Sequence, residues 1–315
     1  MENAMSEPVV SVIIPCYNQA RFLSEAIEGV LDQTYRRFEV IVVDDGSSDN
    51  TSEVAARYPG VRCYRQQNQG LAATRNRGLS QSTGDYLVFL DADDRLLPEA
   101  LAVAVQSLDA HPECAFVYGR SRWVSLDGAP VPAPPQFSIG EEPYRSLLER
   151  NCVWGCMTVM FRRSVLEAVS GFDTSLASAE DYDLYLRIAR KFPVYFHGAV
   201  VAEYRRHEVN MSNNAAVMLK SVLRVLRSQE RYVKANPQYK QAYKNGIRLH
   251  QELYGERLVE HVRFSIRARK HAHAFRSILT LARYYPSGLA KHAFRKTYCF
   301  IFGVESKPSR VEPNE

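Results

Sequence analysis

No run of 18 apolar residues occurs anywhere in the 315-residue chain, so no segment is long enough to cross a bilayer as a helix. The opening residues, MENAMSEPVV, carry no basic stretch followed by an apolar one, which predicts no secretory leader. Six cysteines, at 16, 63, 114, 152, 156 and 299, lie scattered without framework spacing. A disulfide scaffold is therefore excluded, and reduced thiols in a cytosolic chain are expected. No internal repeat or low-complexity tract appears. A Gly-rich loop ending in Lys and Ser or Thr is also missing, as is a dinucleotide fingerprint, which argues against P-loop and NAD-type chemistry. What is present is ordinary for a globular chain: 46% hydrophobic, 24% charged and 11% aromatic residues, enough apolar area to fold.

Charge is divided unevenly. Residues 215–315 hold 20 Lys and Arg against 7 Asp and Glu, a net +13. The first 214 residues hold 20 against 28, a net −8. An acidic body with a basic tail suggests an anionic partner for the tail.

The acidic part alternates strand and helix patterns. Val9–Ile14 is a β-branched run that Pro15 is expected to stop, followed by helical spacing over 20–33. Phe38–Val43 reads as a second strand ending in Asp44-Asp45-Gly46, with Ser47, Ser48 and Asp49 as N-cap candidates for a helix near 50–58. A weaker strand at 61–64 and a helix at 71–79 precede a fourth strand, Tyr86–Leu90, which ends in Asp91-Ala92-Asp93-Asp94. Pro98 suits the first turn of a helix to about 109. Four prolines over 130–135 predict a stiff extended loop. A helix near 141–150, an apolar segment at 153–161 and a helix opening at Ser178-Ala179-Glu180-Asp181 follow. From about 215 onward the pattern is helical throughout. The expected segments are a short N-terminal lead (1–8), an α/β domain (9–212) and a basic helical region (213–315).

Strands alternating with helices imply right-handed crossovers and a mostly parallel sheet covered on both faces. Ligands bind outside the carboxyl ends of such strands. The two acidic turns follow the second and fourth strands, so topology should set them on one rim. Carboxylates there can hold a hard divalent ion together with substrate phosphates, although acidic turns also occur in plain solvent. In the first turn one aspartate is expected to cap, leaving the other free to accept hydrogen bonds from a base or ribose. Asp181 falls in register with Leu184, Tyr185 and Ile188 and so extends a buried stripe, whereas Glu180 and Asp183 suit an exposed, dipole-complementing role.

Four motifs in order carry a resemblance: Ser11-Val12-Ile13-Ile14-Pro15-Cys16-Tyr17-Asn18, Val43-Asp44-Asp45-Gly46-Ser47-Ser48-Asp49, Asn68-Gln69-Gly70-Leu71-Ala72-Ala73-Thr74-Arg75-Asn76-Arg77-Gly78 and Asp91-Ala92-Asp93-Asp94. Together they resemble the inverting family 2 glycosyltransferases over roughly residues 9–210. The resemblance implies a GT-A fold, a Rossmann-like α/β sheet with helices on both faces, here followed by a helical C-terminal region. It implies a metal-dependent hexosyl transfer from a nucleotide-diphosphate sugar, UDP-linked by expectation, to the hydroxyl of a glycan or glycolipid in surface polysaccharide synthesis. Pro15, Tyr17, Asn18, Asp44 and Asp45 would cradle the base and ribose. Asn68, Gly70, Arg75 and Asn76 would lie beside the nucleotide and diphosphate, where the planar fork of Arg75 suits phosphate, and Asp91 would meet the ribose. Asp93 would ligate Mn²⁺ or Mg²⁺. Glu180-Asp181 resembles the acceptor-side motif whose second acid, Asp181, is the general base, with Glu180 near the donor. Tyr204-Arg205-Arg206-His207 resembles a segment closing over the diphosphate, with His207 a metal ligand or a phosphate contact and Arg205 or Arg206 a neutraliser of leaving-group charge.

Plainer readings stand beside several of these. Arg75 also suits a solvated helix face, His207 a structural role, and Trp154 either acceptor contact or core filling. Cys152 and Cys156 lack the second pair of a zinc site. The stretch 291–302 mixes cations with aromatics and fits either an interfacial helix on an anionic membrane or a cap with a solvated basic face. Nucleic-acid binding is not expected, because no such module surrounds it. The rival functions are a sugar-phosphate nucleotidyltransferase, disfavoured by the glycine-free loop Pro15–Ala20, and a non-catalytic nucleotide-sugar binder.

Overall fold

The computed structural model describes residues 8–292 of the chain. It divides into two compact units, one reaching to Val209 and one starting at Asn210.

The first unit is built on one twisted sheet. Strands β1 (Val10–Cys16), β2 (Phe38–Asp44), β3 (Val61–Arg65) and β4 (Tyr86–Phe89) alternate with helices α1 (Ala20–Leu31), α2 (Thr51–Ala55) and α3 (Leu71–Gln81). These strands pair in parallel in the order β3-β2-β1-β4. The central ones are continuously apolar because helices cover both faces. On one face Val12, Ile14, Val40, Val42 and Val88 pack with Leu23, Ile27 and Val30 of α1. On the other, α3 approaches so closely that a methyl on Gly78 would meet Ile13 Cγ2 at 2.2 Å.

Past β4 come β5 (Arg95–Leu96), α4 (Ala100–Ala110), β6 (Phe116–Val124), β7 (Pro130–Val131), α5 (Pro143–Glu149), β8 (Val159–Arg162), α6 (Arg163–Ala168), α7 (Glu180–Ala189) and β9 (Tyr195–Arg205). The sheet continues β4-β8-β6-β9-β5, with β7 beside β6. β8 is antiparallel to both neighbours, and β6 and β9 are parallel to each other. The sheet is thus parallel on one side and mixed on the other.

Several sequence expectations need correcting. Pro15 does not stop β1; the strand runs on to Cys16, paired with Asp44. Proline is tolerated because the odd residues of β1 face β4, and that ladder ends where Leu90 N bonds Ile13 O, so no donor is missed at Pro15. Pro98 lies two residues ahead of α4 rather than at its start. Pro130 belongs to a short strand on β6. The apolar segment 153–161 splits into a 3₁₀ turn, Cys156–Thr158, and β8. The long strands β6 and β9 carry alternating polar residues and gave no clean periodic signal.

The second unit is helical: α8 (Ala215–Ser228), α9 (Glu230–Val233), α10 (Pro237–Arg267) and α11 (His271–Tyr284). Leu219 and Leu223 of α8, Leu258 and Val259 of α10, and Leu281 and Tyr285 form its core. Asn236 caps α10 by accepting from Gln238 N (2.9 Å) and Tyr239 N (3.2 Å), with Pro237 in the first turn. Arg224, Arg227 and Arg231 are exposed. Among the described residues no helix is long and apolar enough to cross a membrane. The basic segment 291–302 lies, beyond His292, outside the described residues.

Candidate active site

β2 and β4 flank β1 in parallel register, so their acidic turns emerge on one rim. In the first turn neither aspartate is left free, contrary to expectation. Asp44 is fully buried and accepts from Ser47 N (2.8 Å) and Ser52 Oγ (2.7 Å). With no exposed face, it builds the turn and offers nothing to a base. Asp45 accepts from Gln69 N (2.9 Å), Gly70 N (2.9 Å) and Gln66 Nε2 (2.8 Å), tying the 66–70 loop to the strand end. Glycine is required at 46, where φ is +78° and a Cβ would meet Asn68 N at 2.9 Å. Gly70, at φ +87°, opens α3. Of the N-cap candidates at 47–49, Asp49 accepts from Thr51 N (3.2 Å) and Thr51 Oγ1 (2.6 Å) at the start of α2 and also from Ala20 N (2.9 Å) at the start of α1; Asn18 Oδ1 accepts from Ser48 N (2.8 Å). Tyr17 and Asn68 lie exposed on this rim, and Pro15 is buried beneath it.

The second turn closes with Asp94 N donating to Asp91 O at 3.0 Å. This bend is what allows Asp91 and Asp93 to act together. Asp94 is buried and accepts from Arg205 N (3.0 Å), fastening the end of β9 to the turn. That contact carries the next residues over the site. Arg205 itself is buried, donating to Asp93 O (3.1 Å), Leu126 O (3.0 Å) and Glu25 Oε2 (2.5 Å). Arg206 keeps solvent access with its guanidinium 4.9 Å over the Trp123 ring. His207 Nε2 comes to 2.9 Å from Asp93 Oδ2, its ring stacked on Phe22. Burial and the nearby Asp91 raise the Asp93 carboxyl above its ordinary value, His207 opposing. A buried carboxylate crowded by like charge and joined by an imidazole is a donor set that suits Mn²⁺ or Mg²⁺ once phosphate oxygens complete the shell.

Arg75 overturns the plainer of its sequence readings. It is 2% exposed, so it is no solvated face. Its fork is held by two acids: Nη1 lies 2.6 Å from Glu180 Oε1 and Nη2 2.7 Å from Asp91 Oδ1. Glu180 and Asp183 are likewise buried rather than surface acids. Asp183 pairs with Arg187 at 2.6 Å. Asn76, expected beside the nucleotide, has its amide bonded both ways to the Phe172 backbone at 2.8 and 2.9 Å. Asp91 and Glu180 share the one Arg75 guanidinium, and Asp181 lies within its electrostatic reach. Burial therefore pushes Glu180 up to about 7 and raises Asp181, with Arg75 pulling both back. Asp181 sits in the first turn of α7 and, unlike Glu180, is only half-buried. It is the acid of this cluster on α7 that solvent or substrate can reach.

Beside this network the Trp123 ring meets Trp154 (5.9 Å) and Tyr204 (5.4 Å). Sequence reading missed Trp123, Phe22 and Asp94. Trp123 lies on an undetected strand, and the roles of the other two depend on β9 arriving from more than a hundred residues away.

A sequence model of glycosyl transferase family 2 matches residues 11–169. The chain is 32% identical over 224 residues to WfgD of Escherichia coli, a UDP-Glc:alpha-D-GlcNAc-diphosphoundecaprenol beta-1,3-glucosyltransferase. That match covers 69% of this chain and 84% of WfgD. TuaG of Bacillus subtilis, a glycosyltransferase named for teichuronic acid biosynthesis, is 29% identical over 77% of this chain and 97% of its own length. Among solved structures, S. aureus TarS 1–349 with UDP-GlcNAc superposes at a TM-score of 0.56 with 18% identity, covering 87% of this chain and 92% of TarS 1–349. The mannosyltransferase PcManGT of Pyrobaculum calidifontis, with GDP-Man and Mn²⁺, superposes at 0.61 with 20% identity, covering 96% of this chain and 89% of its own. These two show the fold. The family match, the relatives and the two facing acidic turns lead to one conclusion: the chain belongs to glycosyl transferase family 2.

Proposed function

We propose that this glycosyltransferase moves a hexosyl group from a UDP-sugar to an acceptor hydroxyl with inversion, and that the acceptor is a lipid-linked or surface glycan. The observation that carries the reading is the Arg75 bridge, which holds Asp91 on the donor side and Glu180, next to Asp181, on the other. UDP and the acceptor class are supported by what WfgD and TuaG are named for.

Asp181 acts as general base. The α7 N-terminus favours its anion, and burial keeps its proton affinity high enough to accept a proton from a hydroxyl during attack. The acceptor oxygen bonds the anomeric carbon as its proton passes to Asp181. The bond from that carbon to the diphosphate oxygen breaks, with its electron pair leaving on the diphosphate. Tyr17 and Asn68 line the base side, Gly70 admits close approach at the head of α3, and Arg206 meets leaving-group charge. Asp45 acts through the loop it holds. Asp93 and His207 would hold a divalent cation, Mn²⁺ or Mg²⁺, which would supply charge neutralisation at the diphosphate. The basic second unit suits peripheral work at an anionic membrane, each surface Lys or Arg being worth about 1 kcal/mol.

Calorimetry with UDP-, GDP- and dTDP-sugars, with and without Mn²⁺ or Mg²⁺, tests this reading. UDP-sugar binding that needs the cation is expected; preference for another nucleotide, or binding indifferent to metal, overturns the corresponding part.

A further inference from the structure

The sequence contains two tryptophans, and the fold brings them together. Trp123 lies near the carboxyl end of β6 and Trp154 in the segment before β8. Their ring centroids are 5.9 Å apart at 52°. Tyr204, paired with Trp123 across the β6–β9 ladder, adds a third ring at 5.4 Å. Both tryptophans remain half-exposed, so they do not simply fill the core.

Two further observations give the wall a direction. Trp154 stands two residues from Cys156, whose thiol lies within electrostatic reach of Arg75, Asp91 and Asp181. Arg206 covers Trp123 at 4.9 Å and immediately precedes His207, the partner of Asp93. The aromatic wall therefore borders both the base and the diphosphate end of the site. In addition, the Trp154 indole nitrogen is buried and finds no acceptor among the described residues. An indole N–H is a donor only, and leaving one buried without an acceptor is unfavourable. A ligand oxygen would relieve that cost.

A pyranose ring matches this chemistry. It presents a face of C–H groups to aromatic rings and a rim of hydroxyls to polar side chains, the mixture of apolar wall and few placed donors that small-molecule sites use. We propose that Trp123 and Trp154 form the acceptor subsite, holding a pyranose ring of the acceptor against their faces while the Trp154 N–H donates to one of its hydroxyls. This rests on the transferase reading above and names the feature that receives the acceptor.

Because no other tryptophan exists in the chain, intrinsic fluorescence reports on this wall alone. The full-length protein is titrated with methyl glycosides of glucose, galactose and N-acetylglucosamine, and UDP affinity with Mn²⁺ is measured separately by calorimetry. At least one glycoside is expected to shift the emission saturably. Trp154→Phe, which keeps a ring but removes the donor, should weaken that glycoside about tenfold and leave UDP affinity unchanged. Trp123→Leu should weaken it further, read from the remaining tryptophan. Normal UDP binding with no glycoside response overturns the subsite, as does a Trp154→Phe variant that binds glycoside like the parent. A glycoside response without UDP binding keeps the carbohydrate subsite and overturns the donor reading instead.

Discussion

His207 Nε2 lies 2.9 Å from Asp93 Oδ2, joining residues 114 positions apart in sequence. The end of β9 and the turn after β4 therefore form one unit, and nucleotide affinity should depend on both residues equally. Asp93→Asn and His207→Ala are each expected to remove the cation-dependent part of UDP thermal stabilisation, which at a hundredfold excess over Kd is about 2.7 kcal/mol. Differential scanning fluorimetry with UDP and Mn²⁺ checks this; a full cation-dependent shift in either variant removes that residue from the metal site.

Asp181→Asn should lower turnover by about 10²–10⁴-fold while UDP-sugar binding stays within about twofold, since the base acts on the acceptor. Burial raises the parent's Asp181 carboxyl above its ordinary value, and only the ionised form can take a proton. Turnover should therefore fall as pH drops through that raised value, higher than an exposed aspartate would titrate. Initial rates from pH 4 to 9 would reveal the limb; a flat acidic side speaks against Asp181.

Glu180 is pushed from an ordinary 4.5 up to about 7, chiefly by burial. The folded chain then holds that proton more tightly than the unfolded chain does. The stability this group contributes is present below about pH 4.5 and is lost as pH rises toward about 7. Urea unfolding of the parent against Glu180→Gln should show the parent losing ground across that window, and an unchanging difference would contradict the assignment.

Arg75→Met leaves buried carboxylates without their cation, a change that costs about 3–5 kcal/mol where one partner of a buried pair is removed. Arg75→Lys keeps the charge but not the fork that reaches Asp91 and Glu180 together, and should recover only part of the loss. Thermal unfolding of both variants decides this; equal stability of parent and methionine variant would mean the bridge contributes nothing net.

Gly78→Ala tests the close approach of α3 to β1. The new methyl would sit 2.2 Å from Ile13 Cγ2, and overpacking of this kind costs about 1–3 kcal/mol. A urea midpoint equal to the parent's would show that the helix can move away freely.

The parallel half of the sheet was legible because β1, β2 and β4 are largely buried on both faces, and because β2 and β4 run into carboxylates. Asp93 and His207 were likewise readable as neighbours, since each sits at a motif position and the fold sets them 2.9 Å apart. Arg75 was not. A cation near a helix start looks the same in sequence whether it meets phosphate, water or acids, and Glu180 lies 105 positions away. The partners of Asp44 and Asp45 were hidden for a related reason: three of them are backbone amides, of Ser47, Gln69 and Gly70, which leave no trace in side-chain identity. β6 and β9 alternate polar and apolar residues irregularly over a register shift, so period counting could not find them.

Pro15 sits where β1 has just lost β4 as a neighbour. Proline withholds the amide hydrogen with which β1 could carry that ladder further, so past Ile13 the strand continues on β2 alone, up to the Cys16–Asp44 pair at the head of the first acidic turn. A residue that reads as a strand breaker thus ends one ladder without ending the strand.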